Sequence, residues 1–370
     1  MIIRDRFGPE YLISVYDPKI KMVGFLVIDN TALGLGKGGL RMTPNVTEEE
    51  VRRLARVMTW KNALAGIPFG GAKSGIVWSG GSKELKKKFV QSFARLIKPF
   101  IPKLYIAGPD VNTGEEEMRW FVEAIGDWRG ATGKPADFCL VKGKRKRCGL
   151  PHELGSTGFG VAEATAVAAS LIKLDLKKTT VAIHGFGNVG TFAYQHLRKM
   201  GAKIIALADL SATIFSEEGF DDRILEKLIR QKAPLSDYPD AQKIPSEDFW
   251  KIKADILIPA SITDVINHRN KDEIKAKIIV EGANIPMPDD VEEELFQRGI
   301  LIVPDLIANA GGVISSYAEY RSYDAQKAFS LIRGKIRKRV KEVIKKALQT
   351  KTNPRQIALK LAQRIVNQGA

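Results

Sequence analysis

Histidine is scarce in this chain, with four in 370 residues, and cysteine is scarcer, with two. Two thiols, Cys139 and Cys148, are too few for a disulfide framework in a chain of this length, which agrees with a reducing compartment. Their spacing is not a zinc signature, and the set Cys139, Cys148, His152 and Glu153 reads as a plain surface loop, so no metal is expected. Long apolar runs are missing as well. None reaches the roughly 18 residues of a membrane span, and MIIRDRFGPEY carries charges where a signal peptide is apolar. A cytoplasmic protein is the expectation. Acid is short relative to base: 42 Asp+Glu stand against 58 Lys+Arg, a formal net charge of +16. Such a field draws in small acids, nucleotides or nucleic acid, and its densest patch is KGKRKR at 142–147. Fixed-period repeats and low-complexity stretches are lacking too, which sets aside solenoids and disordered arrays.

What is present is enough for two domains. Up to about residue 150, short extended runs such as VGFLVI (23–28) mix with helices and glycine clusters. The clearest helix starts at Thr47, where T-E-E-E forms a capping box with Glu50. Val51, Leu54, Ala55 and Met58 then recur at helical spacing and predict a buried face, which Lys61 continues. An ammonium on such a face is costly unless an anion receives it.

From about 151 to 334 strands alternate with amphipathic helices. TTVAIHG (179–185), KIIALAD (203–209), ADILIPA (254–260), KIIVEGA (277–283) and ILIVPD (300–305) read as buried parallel strands of a doubly wound α/β sheet. The basic tail from about 325 is helical, and from about 335 to 370 it is expected to pack back on the first domain.

Gly185-Phe-Gly187-Asn188-Val189-Gly190 follows an apolar strand and opens a helix, the setting in which G-x-G-x-x-G binds a pyrophosphate. Asp209 ends the next strand, at the spacing where an acid takes the ribose hydroxyls. NAD or NADP is the expected cofactor, with NAD favoured because Asp209 would repel a 2′-phosphate. In the first domain Lys37 lies in LGLGKGGLRM (33–42) and Lys73 in GIPFGGAKSG (66–75), cations in backbone that only glycine keeps open. With Lys61, and with Asp110 in YIAGPDVNTGEEEM, they suit proton transfer on a bound dianion. Amino acid deamination has that shape.

GKGGLRM, MTWKNALAGIPFGGAKSG, GPDVNTGEEEM, GSTGFG, GFGNVG, EGAN and NAGGVISS, in this order over nearly the whole chain, resemble the glutamate/leucine/phenylalanine/valine dehydrogenase family. The resemblance implies a substrate-binding and oligomerising first domain, a Rossmann domain, a reaction in the cleft between them, and a homohexamer. By motif, Lys61 would bind the α-carboxylate, Lys73 would activate water, Asp110 would move protons at the amino group, and Thr157 and Asn284 would touch the cofactor. Asn309 and Ser316 would bind substrate, Ser316 beside the side-chain carboxylate. Lys37 stands where leucine and phenylalanine enzymes are apolar, which implies glutamate and 2-oxoglutarate; a leucine-, phenylalanine- or valine-type enzyme is the alternative, and a non-catalytic nucleic-acid-binding relative a distant one. The stretch between TGKP (132–135) and GSTGFG is longer and more basic than the usual linker, Glu153 replaces a common arginine, and His184 a neutral amide.

Overall fold

The computed structural model describes residues 4–142, 145–151, 154–239 and 241–369. They form two compact units. The first comprises Met1–Leu154, Val313–Leu331 and Leu359–Ala370, and the second Gly155–Gly312 and Ile332–Ala358. The chain passes into its second unit after Leu154, and the tail is shared: 325–331 and 359–370 belong to the first unit and 332–358 to the second.

In the first unit the strands are β1 (Tyr11–Asp17), β2 (Met22–Asn30), β3 (Gly36–Lys37), β4 (Leu40–Thr43), β5 (Gly70–Val77) and β6 (Tyr105–Ile106). They lie in the order β1-β2-β5-β3-β6, with β4 parallel to β5. VGFLVI falls inside β2, as its composition predicts. Helix α1 (Glu48–Ala65) covers one face of this sheet, its Val51 and Ala55 packing with Val27 and Val46. On the other face, Leu26, Ile28, Ala72 and Ile76 bury against Phe93 of α2 (Lys83–Leu96) and Phe121 of α3 (Glu115–Ile125). Burying one such side chain stabilises by about 1.5–3 kcal/mol, so the two-sided core fixes which face each strand residue takes.

A two-stranded hairpin, β7 (Cys139–Lys142) with β8 (Arg145–Cys148), follows. Its register sets Cys139 opposite Cys148, and the two are disulfide-bonded. The expected plain loop is thus a clasped hairpin. Both sulfurs are consumed by that bond, while His152 and Glu153 lie outside the described residues.

The second unit is built from α4 (Ser156–Leu171), β9 (Thr180–His184), α5 (Asn188–Lys199), β10 (Lys203–Ala208), β11 (Thr213–Phe215), α6 (Asp222–Gln231), β12 (Gln242–Ile244), β13 (Ile256–Pro259), β14 (Ile278–Val280), α7 (Asp289–Gln297), β15 (Leu301–Val303) and α8 (Asp305–Ala308). Its sheet runs β12-β11-β10-β9-β13-β14-β15. The five strands expected from the sequence are β10, β9, β13, β14 and β15, all parallel. The antiparallel edge pair β11 and β12 has only three residues per strand and gives no apolar run to read. Strand order reverses between β10 and β13 on either side of β9, so a ligand crevice opens at the carboxyl ends of β9 and β13. Helices α9 (Gly311–Tyr320), α10 (Ala325–Thr350) and α11 (Pro354–Gly369) each cross a boundary between the units. No helix among the described residues is long and apolar enough to cross a membrane.

Candidate functional site

On β5, side chains alternate, and Lys73 shares the α1-facing side with Gly71 and Gly75. A Cβ on Gly71 would lie 2.0 Å from Thr59 Oγ1, and one on Gly75 2.7 Å from Val46. Glycine is needed there so that α1 can lie close to the sheet, and Lys73 takes the interval between the two contacts. Lys37 pairs with Gly71 in register on the neighbouring strand. Its flanking glycines do not open space for a ligand, as their number suggests; a Cβ on Gly38 would fall 1.6 Å from the Ala72 carbonyl. The ammonium has room instead because residue 108 is glycine, where a Cβ would come within 2.5 Å of Lys37 Nζ.

Lys37, Lys61 and Lys73 are all buried in this unit. The buried stripe of α1 is Val51, Ala55 and Thr59, whereas Leu54 and Met58 are only half-buried. Burial of Lys61 follows from the last two turns of the helix, where every residue from Thr59 to Ala65 is covered.

Asp110 sits in the loop after β6. Its amide donates to Thr113 Oγ1 at 2.9 Å, and that hydroxyl donates to the Leu40 carbonyl, which fixes the loop. Lys73 Nζ donates to Asp110 Oδ1 at 2.7 Å, and Arg41 Nε donates to Oδ2 at 2.8 Å. Burial alone would raise this carboxyl, but the charges of Lys73 and Arg41 outweigh it and hold the group at about 2. It is therefore ionised at neutral pH. For Lys37 the balance goes the other way. Burial pushes its ammonium down to about 7, helped by Lys134 and Lys73 and opposed by Glu319. Its one described partner is the Ala107 carbonyl, 2.9 Å away. In the same unit the buried Asn62 Oδ1 and Thr132 Oγ1 have no hydrogen-bond partner among the described residues.

Three residues here have no role in the sequence reading. Arg41 lies inside GKGGLRM, and its second ion pair is with Glu50. Glu50 thereby supplies only half of the expected capping box, for its amide donates to Thr47 Oγ1 while its carboxylate turns to Arg41. Lys134 and Glu319 form a wholly buried ion pair at 2.7 Å, and Glu319 also accepts the Gly133 amide. Lys134 packs over the Trp128 ring, 3.7 Å from its centroid. Glu319 is one helical turn after the buried Ser316 on α9, so the pair anchors the helix that carries that serine. The lysine of TGKP was the available signal.

In the second unit the turn after β9 behaves as a phosphate-binding turn must. Gly185 has φ +102°, a conformation that side chains resist. A Cβ on Gly190 would meet the Gly185 carbonyl at 1.9 Å, so the helix closes tightly on the turn. At Gly187 a Cβ would point into open space, where a pyrophosphate can approach backbone. Asn188, Val189 and Gly190 form the first turn of α5, whose N-cap is Gly187 with no side-chain cap. The residues fit a dinucleotide. Thr157 lies in the first turn of α4, whose Gly158 packs against the Val189 carbonyl and so brings it beside this turn.

Asp209 stands past the end of β10 as expected, but its carboxylate is drawn inward. Oδ1 accepts the amides of Ser211 and Ala212 and the Ser211 hydroxyl, while Oδ2 accepts the Leu235 amide at 2.8 Å. Burial would raise this group, yet those donors hold it below the usual range. Asn309, implied as a substrate contact, belongs to the second unit and donates from Nδ2 to Asn284 Oδ1 at 2.9 Å. His184 stacks on Trp250 and bonds Ser261 Oγ at 2.9 Å; burial pushes it down to about 4, so it is neutral like the amide it replaces.

Comparison with known proteins agrees with both halves. Residues 13–126 match the Glu/Leu/Phe/Val dehydrogenase dimerisation domain, and 149–368 the Glutamate/Leucine/Phenylalanine/Valine dehydrogenase domain. The chain is 39% identical to the NADP-specific glutamate dehydrogenase of Saccharolobus shibatae, over 82% of this chain and 72% of that one. It is 34% identical to the NAD-specific glutamate dehydrogenase of Clostridioides difficile, over 80% and 72%. The hetero-hexameric glutamate dehydrogenase of Thermus thermophilus in its Leu-bound form superposes with a TM-score of 0.83 at 25% identity, covering 98% of this chain and 89% of the other. With both of its halves matched by the two domains of one family, the chain belongs to the glutamate/leucine/phenylalanine/valine dehydrogenase family.

Proposed function

We propose that this protein is an NAD(P)-dependent glutamate dehydrogenase, converting L-glutamate to 2-oxoglutarate and ammonium reversibly. The observation that carries this reading is the buried Lys37 ammonium, whose one described hydrogen-bond partner is a backbone carbonyl. A leucine side chain placed there would leave that charge uncompensated, whereas a γ-carboxylate pairs with it. Ser316 adds a hydroxyl for the same carboxylate, and Lys61 takes the α-carboxylate.

When bound, a nicotinamide would supply the hydride acceptor and donor for the α-carbon. Asp110, ionised and fixed by Arg41, takes a proton from the substrate ammonium. Lys73, 2.7 Å from that carboxylate, orients and activates the water that attacks the imino carbon, and a proton passes between the two groups along this contact. In the second unit, Gly185 to Gly190 would hold the pyrophosphate and Thr157 and Asn284 would contact the cofactor, while Asn309 would bind substrate. Asp209 favours NAD: its negative charge at the end of β10 opposes a 2′-phosphate, and the Ser211 hydroxyl that could have received one is bonded to it. The working form is a cytoplasmic homohexamer, in keeping with the matched dimerisation domain.

The test is oxidation of NADH and NADPH with ammonium and a panel of 2-oxo acids. 2-Oxoglutarate with NADH is expected to lead, and Lys37→Leu to raise the 2-oxoglutarate KM about 100-fold, within the range for removing one partner of a buried charge pair. A wild type that prefers 4-methyl-2-oxopentanoate, or a Lys37→Leu variant with unchanged 2-oxoglutarate kinetics, refutes the assignment.

A further inference from the structure

A buried cluster of ionisable groups outside these sites surrounds Arg355, in the first turn of α11. Its Nη2 lies 2.6 Å from Glu281 Oε2, its Nε 2.5 Å from Glu292 Oε2 and its Nη1 2.9 Å from Asp305 Oδ1. All three carboxyl side chains are buried to within 1%. Three buried acids around one guanidinium carry more negative charge than it can neutralise. Burial pushes Glu281 well above the ordinary carboxyl range and raises Glu292, against the pull of the Arg355 charge. Apolar residues of similar volume would fill this space at less cost. The cluster's hydrogen bonds show what it does beyond filling space.

Glu281 Oε2 also accepts the Asp305 amide at 2.7 Å, and Asp305 Oδ2 accepts the Ile285 amide at 3.2 Å. Ile285 has φ +47°, a left-handed conformation that a β-branched residue keeps only when its surroundings impose it. Immediately before it is Asn284, whose Oδ1 accepts from Asn309 and whose carbonyl accepts from Thr263 Oγ1 at 3.1 Å. The Ile285 carbonyl accepts the Asp264 amide at 3.0 Å. The loops at the carboxyl ends of β13 and β14 are thereby joined at one strained residue, and that residue is held from α11.

We propose that Arg355 is a positioning residue for the cofactor: through Glu281 and Asp305 it imposes the left-handed turn at Ile285 and so sets the direction of the Asn284 side chain. This rests on the reading of Asn284 as a cofactor contact. It predicts that loss of the guanidinium fork releases the turn and weakens nicotinamide binding, and that glycine, which adopts positive φ unaided, restores it.

The test titrates NADH fluorescence against wild type, Arg355→Lys and the double variant Arg355→Lys/Ile285→Gly, with the 2-oxoglutarate KM at saturating NADH as a control. Arg355→Lys should weaken NADH binding about tenfold while leaving the 2-oxoglutarate KM within twofold, and the double variant should return to within threefold of wild type. If Arg355→Lys does not fold, Asp305→Asn, with the same glycine rescue, takes its place. Unchanged NADH affinity in the single variant overturns the proposal, and so does a loss that Ile285→Gly leaves in place. A wild type that binds neither NADH nor NADPH removes the dehydrogenase reading and this inference together; wild-type binding with an unaltered variant removes this inference alone.

Discussion

The charge of Lys37 depends on conditions near neutrality. Burial holds the ammonium of the free protein at about 7, so below that pH it is charged and above it mostly neutral. A dianionic 2-oxo acid requires the charged form. Affinity for 2-oxoglutarate should therefore be level below pH 7 and fall about tenfold per unit above it, because binding must then take up a proton. Calorimetric Kd values from pH 6 to 9 check this. Lys37→Met should be weak throughout and lack the slope, whereas a level wild-type profile would contradict the assignment of Lys37 to the side-chain carboxylate. Lys37, Lys61, Lys73 and Asp110 could be singled out as candidates from sequence, because lysines among glycines, a lysine on the apolar face of a helix and an acid after an apolar run are visible without coordinates. Arg41, Lys134 and Glu319 were not legible, since each acts through a partner distant in sequence: Asp110 for Arg41, and Lys134 and Glu319 for one another.

At the scale of elements, termini and buried strands are the readable features. Thr47 caps α1 as its sequence indicates, and the apolar runs became parallel strands because both of their faces are covered. Pairing that depends on register is harder. Nothing in CLVKGKRKRC states that Cys139 and Cys148 end opposite one another; the hairpin register does that. Closing so short a loop restricts the unfolded chain by about 2–3 kcal/mol. The clasp should therefore govern local opening of the basic hairpin, not the stability of the sheets. Oxidised protein should resist trypsin at 142–147, and Cys139→Ser/Cys148→Ser should be nicked there at least tenfold faster, with the thermal midpoint of the remainder little changed. Equal cleavage rates for the two proteins would show that the disulfide does not hold the strands together.

The whole molecule is two units threaded by one chain that crosses between them after Leu154, Gly312, Leu331 and Ala358. A two-part α/β organisation could be read from the change in grammar near residue 150. The division of the tail could not, because an amphipathic stripe shows that a helix is covered without showing by what. In α10, Arg333 and Arg337 reach the buried Glu163 of α4, which ties that part of the helix to the second unit. Ligands should reveal the same division. A ligand that binds only the folded form stabilises its own cooperative unit by RT ln(1 + [L]/Kd), about 2.7 kcal/mol at 100 times Kd. Hydrogen exchange at saturating NADH should therefore slow up to about 100-fold in 155–312 and 332–358, with a smaller change in the first unit. 2-Oxoglutarate alone should protect chiefly β3, β5 and the Asp110 loop. The informative segment is α10, where protection by NADH should step up past Leu331 within one continuous helix. Uniform protection along α10 would mean that the two units open together, and that the helix transmits cofactor binding to the lysine-bearing unit.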